Sequence, residues 1–466
     1  MKKKLLIAGA VIVALLVLIV LVVGPWPAYS AGNVTQEGYY KRNVEAIKAR
    51  AGQCGLDGEP GVLRAGWAKR PIAPPVGVPL AGFGDRRGKP STGVHDDIFV
   101  KALLLTDGRD RAVFVSADML IIPENLAEMV RERVANQTAK PADIILFNAS
   151  HSHSGPGGWA PGFVGKQFSG EYDETVLEFL AQQFTDAIVE ASGNATGEAS
   201  LGTGSVNADG YIRNRTREAP CDTELSYMVV EKDDGSRCYV VSYSAHATVL
   251  GGSNMEFSGD YPGYLQRAIE RETGGFAMFL GGAVGSMSVR NPGNESGFEK
   301  AAAIGEGLAR QVLEGAKGLE LAKNREIASL GVPLDLPSLQ FRISPSWRLS
   351  PFFIGLLGVD SDGWLQCVRV SDAYFVGMPA DFSGEISIRL KEWAASQGVD
   401  LWVLSFNGDY AGYISPDEYY ATARRDGDEA YEMYLMSWCG PNQEAFFTHL
   451  AKEAVGALSQ PGAAGQ

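Results

Sequence analysis

Cysteine and histidine are both scarce in this chain, with five residues of each. No cysteine belongs to a CxxC pair, which excludes the zinc sites that are built from paired cysteines. Cys221 and Cys238 are the closest pair along the chain, and export would permit a disulfide between them. The alternative is that these thiols are unpaired. The cysteines are Cys54, Cys221, Cys238, Cys367 and Cys439.

A surplus of positive charge is also lacking. The 41 Lys and Arg residues face 55 Asp and Glu residues, so the net charge is −14 and the isoelectric point is near 5.0. Binding of nucleic acid requires a basic surface, so a nucleic-acid partner is not expected. An apolar content of 45% over 466 residues is sufficient for one large α/β domain or for two to three smaller ones.

The N-terminus differs from the rest of the chain. Three lysines at 2–4 precede an unbroken apolar run at 5–23, which would span roughly 28 Å as a helix, close to the thickness of a bilayer core. Signal peptides have shorter apolar regions. The run predicts a single-pass anchor over 1–30, with the lysines in the cytoplasm and the rest of the chain on the periplasmic or extracellular side. The alternative is a signal that is cleaved at the small residues "AYSAG" (28–32) and leaves a secreted protein.

The rest of the chain divides by composition. Residues 31–61 are polar and predict a linker with a short helix at 37–50, 62–455 predict one domain without internal repeats, and 456–466 predict a disordered tail. Within the domain, apolar strand-like runs alternate with amphipathic helical patterns, which is typical of an α/β fold with a mixed sheet flanked by helices. The predicted strands are 99–105, 112–116, 143–147, 238–243, 276–280, 373–376 and 401–406. The predicted helices are 124–137, 173–192, 261–272, 298–316 and 384–397.

One apolar segment with several prolines, 341–358, fits neither pattern. It predicts either a packed insertion or an exposed apolar lip that meets lipid or guides an apolar substrate.

Polar side chains follow five of the predicted strands. In α/β sheets, ligands bind beyond the carboxyl ends of the strands, so these side chains predict a functional site. In chain order, they are His151 and His153, then His246, then Ser286 and Ser288, then Asp381 and Glu385, and finally Tyr410 and Tyr413.

Histidine and carboxylate together suit a catalytic zinc site that keeps one position open for water. Zinc lowers the pKa of that water toward about 7, so hydroxide becomes available to attack a carbonyl. In "HSH" (151–153), one histidine would bind metal while the other handles protons. Two of these residues have structural alternatives to a role in the site: His246 as a hydrogen-bonded core residue, and Asp381 as a helix N-cap. Gly281, Gly282 and Gly285 similarly fit a tight strand-to-helix turn, and no lysine follows them as a phosphate-binding loop requires.

Six segments of the domain resemble, in the same order, segments of the neutral/alkaline non-lysosomal ceramidase family. The resemblance extends over about 62–455 and concerns the N-terminal catalytic domain of that family; the C-terminal immunoglobulin-like domain of longer members is not expected here. The segments are "NASHSHSGPGG", "YIRNRTREAP", "SAHATVL", "FLGGAVGSMSVRN", "MPADFSGEISIRL" and "NGDYAGYISPDEY".

The resemblance implies hydrolysis of the amide bond of N-acylsphingosine at a zinc ion. It implies His151, His246, Asp381 and Tyr413 as the zinc ligands. His153 would handle protons or bind substrate, Arg215 falls on an active-site arginine, and Ser288 falls on a serine that is either a nucleophile or a substrate-binding hydroxyl.

Four positions depart from the family pattern. Asp381 stands where the family has glutamate, so Glu385 is an alternative ligand. Ser286 replaces an aspartate, Val289 replaces a proline, and Arg424 lies near the place of a tyrosine.

The sequence therefore predicts a membrane-anchored zinc amidohydrolase with an amphiphilic, ceramide-like N-acyl lipid as substrate. The alternatives are a weakly active or inactive member that binds lipid or envelope polymer, and a zinc hydrolase for a different amide or ester.

Overall fold

The computed structural model of the chain describes residues 2–26, 32–54, 61–138, 144–323, 325–344, 346–354, 362–424 and 426–459. Most of the small-residue motif at 28–32, residue 345 and the stretch 355–358 lie outside the described residues. Of the predicted disordered tail 456–466, residues 456–459 are helical with Leu458 buried, and the rest lies outside the described residues. The helices are α1 (Lys2–Val22), α2 (Gly38–Ala51), α3 (Glu124–Thr138), α4 (Gly162–Ser169), α5 (Glu174–Gly193), α6 (Asp260–Thr273), α7 (Gly297–Ala316), α8 (Pro351–Ile354), α9 (Gly384–Ser396), α10 (Gly427–Ala430) and α11 (Glu444–Ser459).

The strands are shorter and more numerous. They are β1 (Val23–Gly24), β2 (Arg64–Pro71), β3 (Gly93–Val94), β4 (Phe99–Thr106), β5 (Arg111–Ala117), β6 (Ile145–Ala149), β7 (Ala199–Asn207), β8 (Ile212–Asn214), β9 (Glu224–Lys232), β10 (Arg237–Tyr243), β11 (Glu256–Phe257), β12 (Phe276–Gly281), β13 (Met287–Val289), β14 (Ile327–Asp335), β15 (Arg342–Ser344), β16 (Trp347–Leu349), β17 (Asp362–Val370), β18 (Ala373–Gly377), β19 (Asp381–Phe382), β20 (Asp400–Leu404) and β21 (Tyr413–Ile414).

Most of the longer strands form three four-stranded sheets. Their orders are β2-β4-β5-β6, β12-β10-β9-β7 and β14-β17-β18-β20. Each sheet contains one parallel pair, which is β5 with β6, β10 with β12, and β18 with β20, while the remaining pairs are antiparallel. The predicted mixed α/β class is therefore confirmed, although its strands belong to three sheets and not to one.

The predicted strands and helices are all present, and their ends differ by at most two residues wherever the structure describes them; residue 143, the predicted start of one strand, lies outside the described residues. The antiparallel strands β2, β7, β9, β14 and β17 are absent from the prediction. Gly, Pro or charged side chains interrupt the apolar runs of four of them, and a serine interrupts that of β9. Such interruptions are tolerated in antiparallel strands, which do not need to be apolar on both faces.

The three sheets share one apolar core. Phe114 from the first sheet meets Phe375 from the third edge to face, with ring centroids 5.0 Å apart, and Met278 from the second sheet is buried in the same cluster. Complete burial of one such side chain contributes about 1.5–3 kcal/mol to stability. On their other faces, the sheets are covered by α3 and α5, by α6 and α7, and by α2, α9 and α11, respectively.

Helix α2 lies within the segment that the sequence predicts to be a linker. Its buried residues Tyr40, Ile47 and Ala51 pack into the apolar cluster that covers the third sheet, next to β14 and α11. Residues 38–51 are therefore part of the packed body and do not extend away from it.

All five cysteines lie within the described residues, and no disulfide joins any two of them. Cys238 is buried inside β10, whereas Cys221 lies half-buried outside the strands, so the disulfide predicted between them is not formed. Burial raises the pKa of the Cys238 thiol above its usual value. For Cys221 and Cys238, the alternative without a disulfide is therefore the correct one.

Among the described helices, α1 is the one that is long and apolar enough to cross a membrane. Its apolar side chains are exposed, and none of it packs inside the domain. By length and composition, α1 is a candidate for a transmembrane span or for a signal.

Candidate metal centre and active site

The carboxyl ends of the parallel strands meet at one edge of the molecule. Asn148, near the end of β6, links all three sheets there. Its Nδ2 donates to the carbonyl of Gly281 at 3.0 Å and to that of Ser405 at 2.9 Å, and its Oδ1 accepts from the amide of Gly281 at 2.7 Å. Residues that follow β6, β10, β12, β18 and β20 are thereby brought to the same place.

Gly281 permits a close approach at this edge. A Cβ atom at this position would lie 2.5 Å from the carbonyl oxygen of Ala149, which is closer than atoms can pack. The chain then turns through Gly285 into the short strand β13. The alternative of a strand-to-helix turn does not apply, because Gly281 allows a tight contact between sheets and the segment leads into a strand.

Three histidines converge beyond the strand ends. The Nε2 atoms of His151 and His246 are 2.9 Å apart, and Nε2 of His153 is 3.2 Å from Nε2 of His151. Asp381 Oδ1 lies 3.6 Å and 3.7 Å from the Nε2 atoms of His151 and His246, respectively. The Tyr413 hydroxyl is 3.2 Å from Nε2 of His246. The structure therefore brings together the four residues predicted as metal ligands, with His153 beside them.

The hydrogen bonds on the other ring nitrogens determine which atoms face each other. Nδ1 of His151 is 2.7 Å from the carbonyl oxygen of Leu120, and Nδ1 of His246 is 2.8 Å from that of Val284. A carbonyl oxygen only accepts, so each Nδ1 carries the proton and each Nε2 presents a lone pair. Burial lowers the pKa of both histidines, to about 3 for His151, so both rings are neutral at pH 7.

Two lone pairs 2.9 Å apart repel each other unless a cation lies between them. Asp381 Oδ1, which also faces them, is buried and has no hydrogen-bond partner among the described residues. A buried carboxylate oxygen without a partner is costly. Neutral histidines whose second nitrogen is held by a carbonyl are typical of metal ligands. The residues that are present therefore fit a bound metal ion.

Further contacts hold these side chains in place. The ring of His151 stacks on Phe406, with centroids 4.3 Å apart, and both residues have the left-handed backbone conformation that is rare outside glycine. Such strain concentrates at functional sites. The Tyr410 hydroxyl donates to Asp381 Oδ2 at 2.6 Å, which leaves Oδ1 directed at the histidines. Burial raises the pKa of Asp381 to about 7, and a bound cation would oppose this effect.

Arg215 is buried beside the cluster. Its Nη2 donates to the Tyr413 hydroxyl at 3.1 Å and to the carbonyl of Gly285 at 2.9 Å, and its Nε donates to Glu432 Oε1 at 2.8 Å. Glu432 belongs to the π-helical segment Tyr431–Leu435. The sequence does not predict Glu432 as a site residue, because it lies 217 positions from Arg215 and no local pattern distinguishes it.

Glu385, the alternative carboxylate ligand, does not face the histidines. One of its oxygens accepts from Asn214 Nδ2 at 2.6 Å, and the other accepts from the hydroxyls of Ser286 and Ser383. The carboxylate thus has partners of its own and connects α9 to the loop before β13. Of the two candidate carboxylates, the structure places Asp381 at the cluster.

Ser288 lies in β13, where its backbone bridges that of His246. Among the described residues, its hydroxyl makes no hydrogen bond to the three histidines, to Arg215 or to Tyr413. Val289 is buried in the same strand.

Arg424, another position that departs from the family pattern, lies outside the histidine cluster. It donates to Glu429 at 2.8 Å and to the carbonyl of Thr216 at 2.9 Å.

An apolar cavity of about 340 Å³ leads to the histidines. Most of its wall is aromatic or aliphatic, whereas His151, His153 and Asp381 form its polar end. The other lining residues are Gly82, Gly84, Leu120, Ile121, Phe163, Val164, Gln167, Phe168, Phe341, Tyr410, Tyr413, Tyr431, Leu435, Met436 and Trp438. A cavity of this kind fits a ligand with a long apolar portion and one polar group.

Fold and site together define an α/β protein with a buried centre of neutral histidines and a carboxylate beneath an apolar cavity. Residues 65–303, about half of the chain, match the family model described as neutral/alkaline non-lysosomal ceramidase, N-terminal. The chain belongs to this family, and the resemblance seen in the sequence is confirmed.

Curated relatives and a solved structure agree with this assignment. Neutral ceramidase A of Dictyostelium discoideum is 24% identical over 217 residues, which are 42% of this chain and 30% of that protein. Neutral ceramidase of Drosophila pseudoobscura pseudoobscura is 24% identical over 253 residues, 49% of this chain and 34% of the relative. The matched part of the chain thus spans about a third of the length of these relatives. The crystal structure of neutral ceramidase from Pseudomonas aeruginosa superposes with a TM-score of 0.71 at 19% identity, covering 86% of this chain and 75% of that one. This similarity shows the fold.

Proposed function

We propose that the chain is a zinc-dependent amidohydrolase that cleaves the amide bond of a ceramide-like N-acyl lipid. One observation carries the proposal. Two histidine lone pairs and the unpartnered oxygen of Asp381 converge at the polar end of an apolar cavity. The curated relatives, which are named as neutral ceramidases, support the choice of an N-acyl lipid.

The donor set suits zinc. Imidazole nitrogen and carboxylate or phenol oxygen are ligands of Zn²⁺ in catalytic sites, and His151, His246, Asp381 and Tyr413 would hold the ion. When bound, zinc would supply a water molecule with a pKa near about 7 and would polarise the amide carbonyl.

Arg215 and Tyr413 would stabilise negative charge on the carbonyl oxygen. Arg215 remains charged in its buried position, because Glu432 and the Tyr413 hydroxyl offset the effect of burial and raise its pKa. Donors that are fixed before the reaction stabilise a developing oxyanion without reorganisation. The hydrogen bond of 3.1 Å between Arg215 and Tyr413 aligns both groups.

His153 would transfer a proton to the leaving amine. In contrast to His151 and His246, its Nδ1 has no hydrogen-bond partner among the described residues, so no carbonyl restricts which nitrogen carries the proton. Its ring lines the cavity and packs on Phe83, with centroids 4.7 Å apart. A general acid must lie at the surface that the substrate contacts, and His153 does so.

We further propose that α1 anchors the protein in the membrane, with the domain on the extracytoplasmic side. The lysines at 2–4, which precede the apolar helix, favour this orientation.

Zinc content and product release test the proposal together. The full-length protein in detergent is expected to contain about one zinc per chain by elemental analysis and to release fatty acid from ceramide, as detected by mass spectrometry. His151→Ala should lose both properties. His95→Ala is the matched control, because His95 stacks on Phe298 away from the cluster and should retain both. A folded, zinc-supplemented wild type that binds no zinc would refute the metal centre.

A further inference from the structure

Backbone hydrogen bonds attach the end of α1 directly to the domain. The last residue of the helix, Val22, accepts a hydrogen bond from the amide of Ser350 at 2.8 Å. The next two residues form β1, which pairs with β16 so that Val23 lies opposite Leu349 and Gly24 opposite Arg348. Strand β16 in turn pairs with β15. We refer to β1, β16 and β15 as the anchor ladder.

The anchor ladder is attached to the wall of the cavity. Phe341, immediately before β15, lines the cavity and accepts a hydrogen bond from the amide of Leu349 at 2.8 Å. Its ring lies 5.3 Å from that of Trp438, another lining residue. The ladder therefore connects the end of α1 to the cavity through hydrogen bonds and packed rings.

Exposed apolar side chains concentrate at the same place. In the described residues after α1, nine large apolar side chains are exposed, and five of them belong to the cavity or to the anchor ladder. Phe163 (68% exposed), Leu435 (55%) and Tyr431 (41%) line the cavity, while Ile343 (57%) and Trp347 (40%) lie in β15 and β16. A grouped apolar surface of this kind marks a contact with a partner or a membrane.

The position of α1 identifies that partner as a bilayer. A strand rises about 3.3 Å per residue, so β1 begins within roughly one residue length of the apolar helix. The headgroup region on one side of a bilayer is about 5–8 Å thick, which places the anchor ladder within it. Arg348 in β16 would then lie at the level of the lipid phosphates, where arginine is favoured.

We refer to the exposed part of the cavity wall, Phe163, Tyr431 and Leu435, as the mouth of the cavity. We propose that the anchor ladder holds this mouth against the membrane that α1 spans, so that lipid enters the cavity from the bilayer without crossing water. The docking of the mouth rests on the geometry of the ladder, whereas the entry of an N-acyl lipid rests also on the proposed function. The segment 341–358 is predicted to be either a packed insertion or an exposed apolar lip. For its described residues, we favour the exposed lip.

Fluorescence quenching tests the docking. The full-length protein carries Cys54→Ser and Cys221→Ser, since the other three thiols are buried. A fluorophore is attached at Phe163→Cys or Leu435→Cys, and the protein is placed in phosphatidylcholine vesicles whose acyl chains carry bromine. Strong quenching is expected at both sites. Val62→Cys is the control, because Val62 is 43% exposed beside the opposite end of the first sheet and should not be quenched. Equal quenching at the three sites, or none at 163 and 435, would overturn the docking.

A linker insertion tests the role of the anchor ladder. A flexible Gly/Ser insertion between Val22 and Val23 separates the ladder from the helix. Hydrolysis of ceramide in vesicles is expected to fall by at least about tenfold, while hydrolysis of a short-chain ceramide in detergent remains unchanged. The same insertion after Asp234, in the turn between β9 and β10, should change neither rate. Unchanged hydrolysis in vesicles, or equal losses on both substrates, would refute the role of the ladder.

Two further results separate the failure of this inference from the failure of the proposed function. A mature protein whose intact mass lacks residues 1–26 would overturn the inference, because β1 would then be absent. A wild type without activity on any N-acyl lipid would refute the proposed function, while the quenching experiment would still decide whether the mouth contacts the bilayer.

Discussion

At the scale of single residues, the site depends on which hydrogen-bond partners Asp381 and Glu385 have. Asp381 keeps one oxygen free of hydrogen bonds and directs it at the histidines, while Glu385 accepts three hydrogen bonds elsewhere. A buried oxygen without a partner is unfavourable unless a ligand completes it. Two carboxylates only four positions apart therefore have different roles: Asp381 faces the proposed metal, and Glu385 holds neighbouring segments together.

Exchanging each carboxylate for its amide should separate these uses. Asp381→Asn is expected to lose zinc and activity, because a neutral amide is a poorer ligand. Glu385→Gln should retain zinc while losing about 1–3 kcal/mol of stability through its hydrogen bonds to two serines and Asn214. Elemental analysis and thermal unfolding of both variants provide the measurement. Loss of zinc in Glu385→Gln alone would assign the ligand to Glu385 instead.

Arg215 should affect the rate without affecting the metal. In Arg215→Lys, the ion pair with Glu432 can persist, but the fixed donors to Tyr413 and to the substrate oxygen are disturbed. We expect kcat to fall by about 10²–10³, as after removal of an oxyanion donor, with zinc content unchanged. Arg217→Lys, from the same loop and paired with Glu429, is the control and should keep kcat within about threefold of wild type, since it lies outside the cluster. An unchanged kcat in Arg215→Lys would contradict the role of Arg215.

At the scale of elements, short stretches of chain decide how closely the strands approach one another. Gly281 at the end of β12 allows contact with the carbonyl of Ala149 at the end of β6. Helix α2 contributes Ile47 to the core although its surroundings in the sequence are polar. Both features depend on packing between elements that are distant in sequence.

Gly281→Ala should push the end of β12 away from the end of β6, the strand that His151 follows. Because the added Cβ would meet a backbone atom at 2.5 Å, the strands must shift, which costs about 1–3 kcal/mol and displaces the ligands. We expect a lower melting temperature together with lower zinc content. Gly193→Ala, where no atom lies within 4 Å of the added Cβ, should be neutral. Equal behaviour of both variants would show that the contact at Gly281 is unimportant.

Shortening a buried side chain of α2 tests whether this helix belongs to the domain. Ile47→Ala is expected to lower the free energy of unfolding by about 2–5 kcal/mol, as for a fully buried side chain. Lys41→Ala on the exposed face of the same helix should have little effect. Chemical denaturation of both variants measures the difference. A negligible effect of Ile47→Ala would mean that 38–51 behaves as the linker that the polar sequence indicates.

At the scale of the whole molecule, the proposed metal centre joins the three sheets. His151 follows a strand of the first sheet, His246 one of the second, and Asp381 one of the third. A ligand that binds the folded state at 1,000 times its dissociation constant stabilises that state by about 4 kcal/mol. Metal binding should therefore stabilise the association of the sheets as well as supply chemistry.

Chelation provides the test at this scale. Removal of zinc from the wild type should lower the melting temperature by several degrees, and added zinc should restore it. His151→Ala should already unfold at a lower temperature and should not respond to chelator or to zinc. A wild type whose melting temperature is the same with and without chelator would show that the cluster does not hold a metal under these conditions.

The sequence by itself determined the longer helices, the parallel strands and most of the residues from which the site is drawn. The apolar run at 5–23, the parallel strands and the helices were evident because each produces a local pattern of apolar side chains. The histidines and Asp381 were found because they directly follow those strands, and the ordered motifs indicated the family.

Only the tertiary structure decided how these residues are combined. It assigned Asp381 and not Glu385 to the histidine cluster, paired Arg215 with Glu432 across 217 positions, left Cys221 and Cys238 unbonded, and joined the end of α1 to the cavity. The sheets were also beyond the sequence, because antiparallel strands with interrupted apolar runs leave a weak pattern. Each of these features depends on contacts between distant segments, and a contact of that kind leaves no local trace in the order of amino acids.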